Sequence, residues 1–208
     1  TIIKDWTFRI KQSTQNSDKN RVMLLLHGYM GNENAMWILT NPLPDSYLLI
    51  APRAPIEMGA DQYSWHEIMP QWPGLETYQK LADQLLTRVE IWLSDNSINS
   101  DRYDIMGFSQ GAVMAYALAF LYPEKIDKVA ALASFIPQTW KSKIDTNLIR
   151  NKSFFIAHGT EDEIIPIKKA SKSAKWLEEN GAKVTFCKAK IGHKLSSGCF
   201  TGLGNFFE

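Results

Sequence analysis

The chain has 208 residues, 45% of them hydrophobic and 22% charged, with a formal net charge of +1. That length suits a single domain, residues 1–208, with a substantial core, and the near-neutral balance without a Lys/Arg block argues against nucleic acid or an anionic membrane as partner. No apolar run reaches the roughly 18 residues of a membrane span, and the two cysteines, Cys187 and Cys199, stand in no zinc-ligand spacing.

In chain order, "WTFRI" (6–10) alternates like an edge strand, and "VMLLLHG" (22–28) is a continuous apolar run closed by glycine, as in a strand buried on both faces. "SYLLIAP" (46–52) repeats that pattern. The aromatic, Met-rich stretch 57–74 reads as a long loop. Leu81, Leu85, Val89 and Trp92 recur at helical spacing, so 75–94 is expected to be one amphipathic helix. Then come a strand at 102–108, a helix at 110–121 that is apolar nearly all round, strands at 128–134 and 153–159, a helix at 166–181, and a last strand at 183–189. The segment "SSGCFTGLGNFF" is expected to form a final helix despite its glycines. This alternation predicts an α/β fold, a mainly parallel central sheet with helices on both faces. The cysteines are expected as free thiols in a reducing compartment, which favours a cytoplasmic location.

In "YDIMGFSQGAVMAYALAF" (103–120), Ser109 falls on the turn between a strand and a helix, between Gly107 and Gly111. A sharp turn there lifts the hydroxyl above the sheet edge, and glycines on either side let neighbouring backbone pass close. A serine hydroxyl needs a base, and in this architecture the partners follow as serine, acid, histidine. Four histidines exist. His27 and His66 precede the serine and His158 precedes the best acid, which leaves His193 in "KIGHKLSS". The acid is expected from "HGTEDEIIP", with Asp162 preferred over Glu161 and Glu163 and with Asp145 as the fallback. Backbone N–H groups of Gln110 and of Tyr29, in "LLHGYMGNEN", are the expected oxyanion donors, with His27 a structural residue beneath that loop.

The motifs "LLHGYMGNEN", "IAPRAP", "GFSQGA", "HGTEDEIIP" and "GHKLSS" resemble, in order and spacing, the phospholipase/carboxylesterase family of α/β-hydrolases, which includes acyl-protein thioesterases. The resemblance spans about Leu24 to Leu195. It implies the α/β-hydrolase fold, no cofactor or metal, and a Ser109–Asp162–His193 triad hydrolysing carboxylic esters, lysophospholipids or thioesters. Family members commonly carry Gly where this chain has Met30, and often Asp where it has Asn32.

The segment 135–152 is too short for a helical cap domain, so an open site is expected, suited to short- or medium-chain or aryl esters. Trp65 is the candidate substrate wall, with Phe108, Ile136, Ile165 and Leu195 as apolar neighbours. No charged cluster is evident beside the pocket. Exposed apolar surface around 57–74 would equally serve a homodimer. A non-catalytic binding module of the same fold is the rival from another class.

Overall fold

The computed structural model describes residues 1–14 and 21–208. Its main sheet has eight strands among the described residues: β1 (Ile2–Ile3), β2 (Trp6–Lys11), β3 (Arg21–Leu26), β4 (Tyr47–Pro52), β7 (Tyr103–Phe108), β8 (Ile126–Leu132), β9 (Ser153–Gly159) and β10 (Lys183–Ala189). They lie in the order β1-β2-β4-β3-β7-β8-β9-β10. From β4 to β10 every pairing is parallel; β1 and β2 add antiparallel at one side. The expected edge strand "WTFRI" is therefore second from the edge, covered by the two-residue β1.

The continuous apolar runs become central strands because both of their faces are covered. One set of side chains, including Leu24, Leu26, Ile105 and Val129, packs under α1 (Leu75–Asp95), α2 (Gln110–Leu121) and α3 (Ile167–Glu179). The alternate set, including Met23, Leu25, Met106 and Leu132, packs on the opposite face with Met36, Leu43 and α4 (Phe200–Phe207). Helix α2 is apolar all round because its residues 110–120 are all buried.

Two expectations need correction. The stretch 57–74 is not one irregular loop: β5 (Ile56–Gly59) and β6 (Gln62–Ser64) form a small antiparallel hairpin at its start, joined to the 28–31 loop by a Gly31–Tyr63 bridge. Cys187 and Cys199 are not free thiols but a disulfide, with Cα atoms 5.9 Å apart. Its cause is the docking of α4 against the sheet, which brings the 3₁₀ turn Ser197–Cys199 beside β10. Residues 135–152 carry only two 3₁₀ turns, Gln138–Trp140 and Thr146–Ile149, and no helical cap.

Strand order reverses beside β3: the chain goes from β3 to β4 on one side, then returns through α1 to β7 on the other. Loops leaving the carboxyl ends of β3 and β7 therefore diverge and leave a crevice, where α/β sheets bind ligands.

Candidate active site

Ser109 stands at that crevice. It has φ +52° and ψ −116°, a left-handed conformation that L side chains rarely adopt. Such strain persists only where the surroundings enforce it. Here the Ser109 N–H donates to the Leu132 carbonyl at 2.8 Å, and the Ser109 carbonyl accepts from Ala112 and Val113 N–H in the first turn of α2. The flanking glycines are required by contact. A Cβ on Gly107 would lie 2.4 Å from the Gly111 carbonyl oxygen, and one on Gly111 would lie 2.1 Å from that of Leu26.

The His193 ring reaches Ser109 from the loop after β10: Nε2 is 2.9 Å from Ser109 Oγ and Nδ1 is 2.7 Å from Asp162 Oδ2. Since a carboxylate only accepts, Nδ1 carries the proton and Nε2 is left to accept from the serine hydroxyl. Phe108 packs its ring edge against His193, centroids 5.1 Å apart. Asp162 is fully buried in its side chain. The N–H groups of Ile164 and Ile165 donate to its Oδ1 at 3.0 and 2.8 Å, so the turn after β9 fixes the carboxylate through the oxygen that the histidine does not use. The other acids lie elsewhere: Glu161 faces Lys190 at 3.7 Å, Glu163 is exposed, and Asp145 caps the turn Thr146–Ile149.

A residue that the sequence did not single out joins this cluster. His158, at the end of β9, donates from Nε2 to the Ile165 carbonyl at 2.7 Å and sits 3.3 Å from Asp162 Oδ2. It therefore holds the acid's turn from beneath. Only its position in "HGTEDEIIP", just before the turn, hinted at this.

The loop after β3 closes over the serine. A Cβ on Gly28 would come 3.4 Å from Ser109 Cβ and 3.1 Å from the Phe108 ring, so the backbone beside Tyr29 runs against the nucleophile turn. Neither the Tyr29 N–H nor that of Gln110 has a hydrogen-bond partner among the described residues. Met30 has φ +61°, so it keeps the left-handed turn for which a glycine is the usual choice. Asn32 donates its amide to Asp61 Oδ2 at 2.7 Å; an aspartate at 32 would instead repel that carboxylate. Glu33 and Arg53 form a two-pronged ion pair, at 2.7 and 2.8 Å, which ties this loop to the segment after β4.

His27 lies beneath the loop, fully buried. Ala54 N–H donates to its Nε2 at 3.0 Å and its Nδ1 donates to Gly28 at 2.8 Å, a neutral ring in a fixed tautomer. Burial pushes its pKa down to about 4.

The proposed substrate wall is differently placed. Trp65 is only 2% exposed, and its indole N–H donates to the His27 carbonyl at 2.7 Å, so it supports the loop from inside the core. Its backbone N–H donates to the Gln110 side-chain oxygen, and that amide also bonds Ser64. Gln110 thereby anchors the start of α2 through its side chain as well. Phe108 is half-buried at the triad, Ile165 is buried and bonds Asp162 through its N–H, Ile136 is buried against Ser173 of α3, and Leu195 is partly buried two residues after His193.

A charged groove that the sequence did not reveal lies on the same carboxyl edge. Its volume is about 590 Å³, and it is lined by Phe135, Ile136, Gln138, Lys141, Lys169 and Lys172. The expectation of no charged cluster near the pocket is corrected here. Its lysines come from separate segments that only the fold brings together.

Comparison with known proteins decides the family. The model of the phospholipase/carboxylesterase family matches residues 9–208. The chain belongs to that family. It is an ester-hydrolysing serine hydrolase of the α/β-hydrolase fold. It is similar to acyl-protein thioesterase 1 of Emericella nidulans, 27% identical over 189 residues, or 79% of each chain. The protein of the same name from Schizosaccharomyces pombe is 32% identical over 116 residues, covering 53% of this chain and 51% of that one. Among solved structures, the Bacillus cereus carboxylesterase superposes with a TM-score of 0.82 at 20% identity, covering 98% of this chain and 94% of that one. A Mesorhizobium loti carboxylesterase gives 0.79 at 18% identity, covering 97% and 93%.

Proposed function

We propose that the chain hydrolyses short- to medium-chain or aryl carboxylic esters through an acyl-enzyme on Ser109. The observation that carries this is the unbroken relay from Ser109 Oγ through His193 to Asp162, at 2.9 and 2.7 Å. His193 takes the Ser109 proton as the oxygen attacks the ester carbonyl, and Asp162 stabilises the imidazolium that forms. The N–H groups of Gln110 and Tyr29 hold the oxyanion, each worth about 3 kcal/mol in the transition state. His193 then protonates the departing alcohol, and a water, deprotonated by the same ring, releases the acid. The absence of a helical cap over the site supports small, soluble esters.

A thioester is the second reading, favoured by the relatives named acyl-protein thioesterase 1. A para-nitrophenyl ester series from acetate to laurate, run beside the matching acyl thiocholines, separates the two. The proposal expects kcat/KM to peak at short or medium oxygen esters. A profile rising steadily to the longest thioester would replace it with the thioesterase reading.

Location follows the cysteines. No helix among the described residues is long and apolar enough to cross a membrane. A disulfide persists in oxidising surroundings, so the Cys187–Cys199 bond supports such a compartment over the cytoplasm that free thiols favoured. Alkylation of the protein in rapidly quenched cells tests this: two reactive thiols would restore the cytoplasmic reading.

A further inference from the structure

The three-lysine groove has two walls. One is the segment after β8, with Phe135, Ile136, Gln138 and Lys141; the other is the start of α3, with Lys169 and Lys172. They are fastened together by the Ile136 N–H, which donates to the buried Ser173 hydroxyl at 2.8 Å. Each wall also grows from backbone that holds the triad. The first follows Leu132, whose carbonyl accepts from the Ser109 N–H, and the second follows Ile165, whose N–H donates to Asp162. Ile136 is four residues beyond Leu132, so the groove begins within roughly 14 Å of the backbone that fixes the nucleophile.

The chemistry of the lining is one-sided. Phe135 and Ile136 supply an apolar floor, and the groove contains no carboxylate. Lys169 lies over the Phe135 ring at 4.6 Å, and Lys141 lies over the Trp176 ring at 5.6 Å and donates to the Lys172 carbonyl at 3.5 Å, which ties it to the opposite wall. None of the three lysines forms an ion pair among the described residues; the neighbouring Lys175 takes Glu179 instead. Lys141 feels burial first and then the charge of Lys172, both lowering its pKa against a weaker opposing pull from Glu179. Unneutralised cations gathered on one apolar floor, between walls that continue from the backbone holding Ser109 and Asp162, are a receptor for an amphiphilic anion.

We infer that the preferred substrates carry a negatively charged group, a carboxylate or a phosphate, which Lys141, Lys169 and Lys172 hold while Ser109 attacks the ester. This rests on the serine esterase reading above and narrows its substrate class. The anion can belong to the acyl chain or to the leaving group, and two pairs of matched esters tell these apart.

On the acyl side, the para-nitrophenyl monoester of adipic acid is compared with the para-nitrophenyl ester of its isopropyl-ended isostere. On the leaving-group side, para-acetoxybenzoate is compared with para-isopropylphenyl acetate. The readout is the ratio of kcat/KM, anion over neutral. In at least one pair the ratio is expected to reach about fivefold, the scale of one partly exposed ion pair. The advantage falls toward one in K169Q/K172Q, and also in roughly 0.5 M salt, where the Debye length is about 4 Å. Lys80→Gln, on the exposed face of α1, keeps the wild-type ratio. A ratio at or below one in both pairs overturns the inference, as does a preference that K169Q/K172Q leaves intact. Equal turnover of both members would overturn this inference alone, whereas turnover of neither would overturn the esterase reading with it.

Discussion

The Cys187–Cys199 disulfide closes a short loop, 12 positions in sequence, and His193 lies inside it. None of residues 190–198 is fully buried; Leu195 packs partly buried on the core and the Glu161 N–H donates to the Ile191 carbonyl, so the loop is only lightly anchored between β10 and the turn before α4. Replacing both cysteines by serine frees the unfolded chain of a closure whose entropy, for a loop of this length, is worth about 3 kcal/mol at 25 °C. For a chain of this size that corresponds to a Tm lower by roughly 6–12 °C. In the folded state the loop that carries His193 loses its covalent closure, and the ring is then held only by its hydrogen bonds to Asp162 and Ser109 and its packing on Phe108. The loss is therefore expected mainly in kcat, since His193 acts in the chemical step, with KM less affected. Differential scanning calorimetry and steady-state kinetics on Cys187→Ser/Cys199→Ser measure both. A Tm within about 2 °C of wild type together with an unchanged kcat would refute the reasoning that the bond staples this loop.

Two other outcomes follow from buried groups. The folded-state pKa of His27, about 4, lies below its ordinary value of 6.5, so between those values the unfolded chain binds more protons. The contribution of His27 to stability is complete above about pH 6.5 and is lost as pH falls toward 4, by roughly 3 kcal/mol. Urea titrations across that window should show this decline in wild type and a shallower one in His27→Gln; equal slopes would contradict it. Trp65→Ala removes a core indole that also bonds the His27 carbonyl, so it should cost about 4 kcal/mol in urea unfolding. A cost below 1 kcal/mol, with an altered chain-length profile, would restore Trp65 as a substrate wall.

The central strands were legible because a strand buried on both faces must be apolar throughout, and "VMLLLHG" and "SFFIAHG" have few other uses. Ser109 was legible from the change of period around it, and His193 because so few histidines compete. Other features depend on contacts that local sequence does not encode. The disulfide needs α4 docked beside β10, and no spacing rule joins Cys187 to Cys199. The β5–β6 hairpin escaped because Glu57, Met58 and Gly59 face solvent, which hides the strand alternation. Trp65 looked like a pocket wall because it stands in a long aromatic, Met-rich stretch, yet its indole N–H finds the His27 carbonyl and allows burial. Lys141, Lys169 and Lys172 are ordinary surface residues in sequence and become a cluster only when the segment after β8 meets α3.

The most direct test of the account is turnover of the best ester from the para-nitrophenyl series by wild type and Ser109→Ala. The strained turn holds the hydroxyl 2.9 Å from His193, and a methyl group there can neither donate to the ring nor attack. The account predicts a loss of at least about a thousandfold in kcat, with the fold retained by circular dichroism. Turnover by Ser109→Ala within tenfold of wild type would contradict it and place the nucleophile elsewhere.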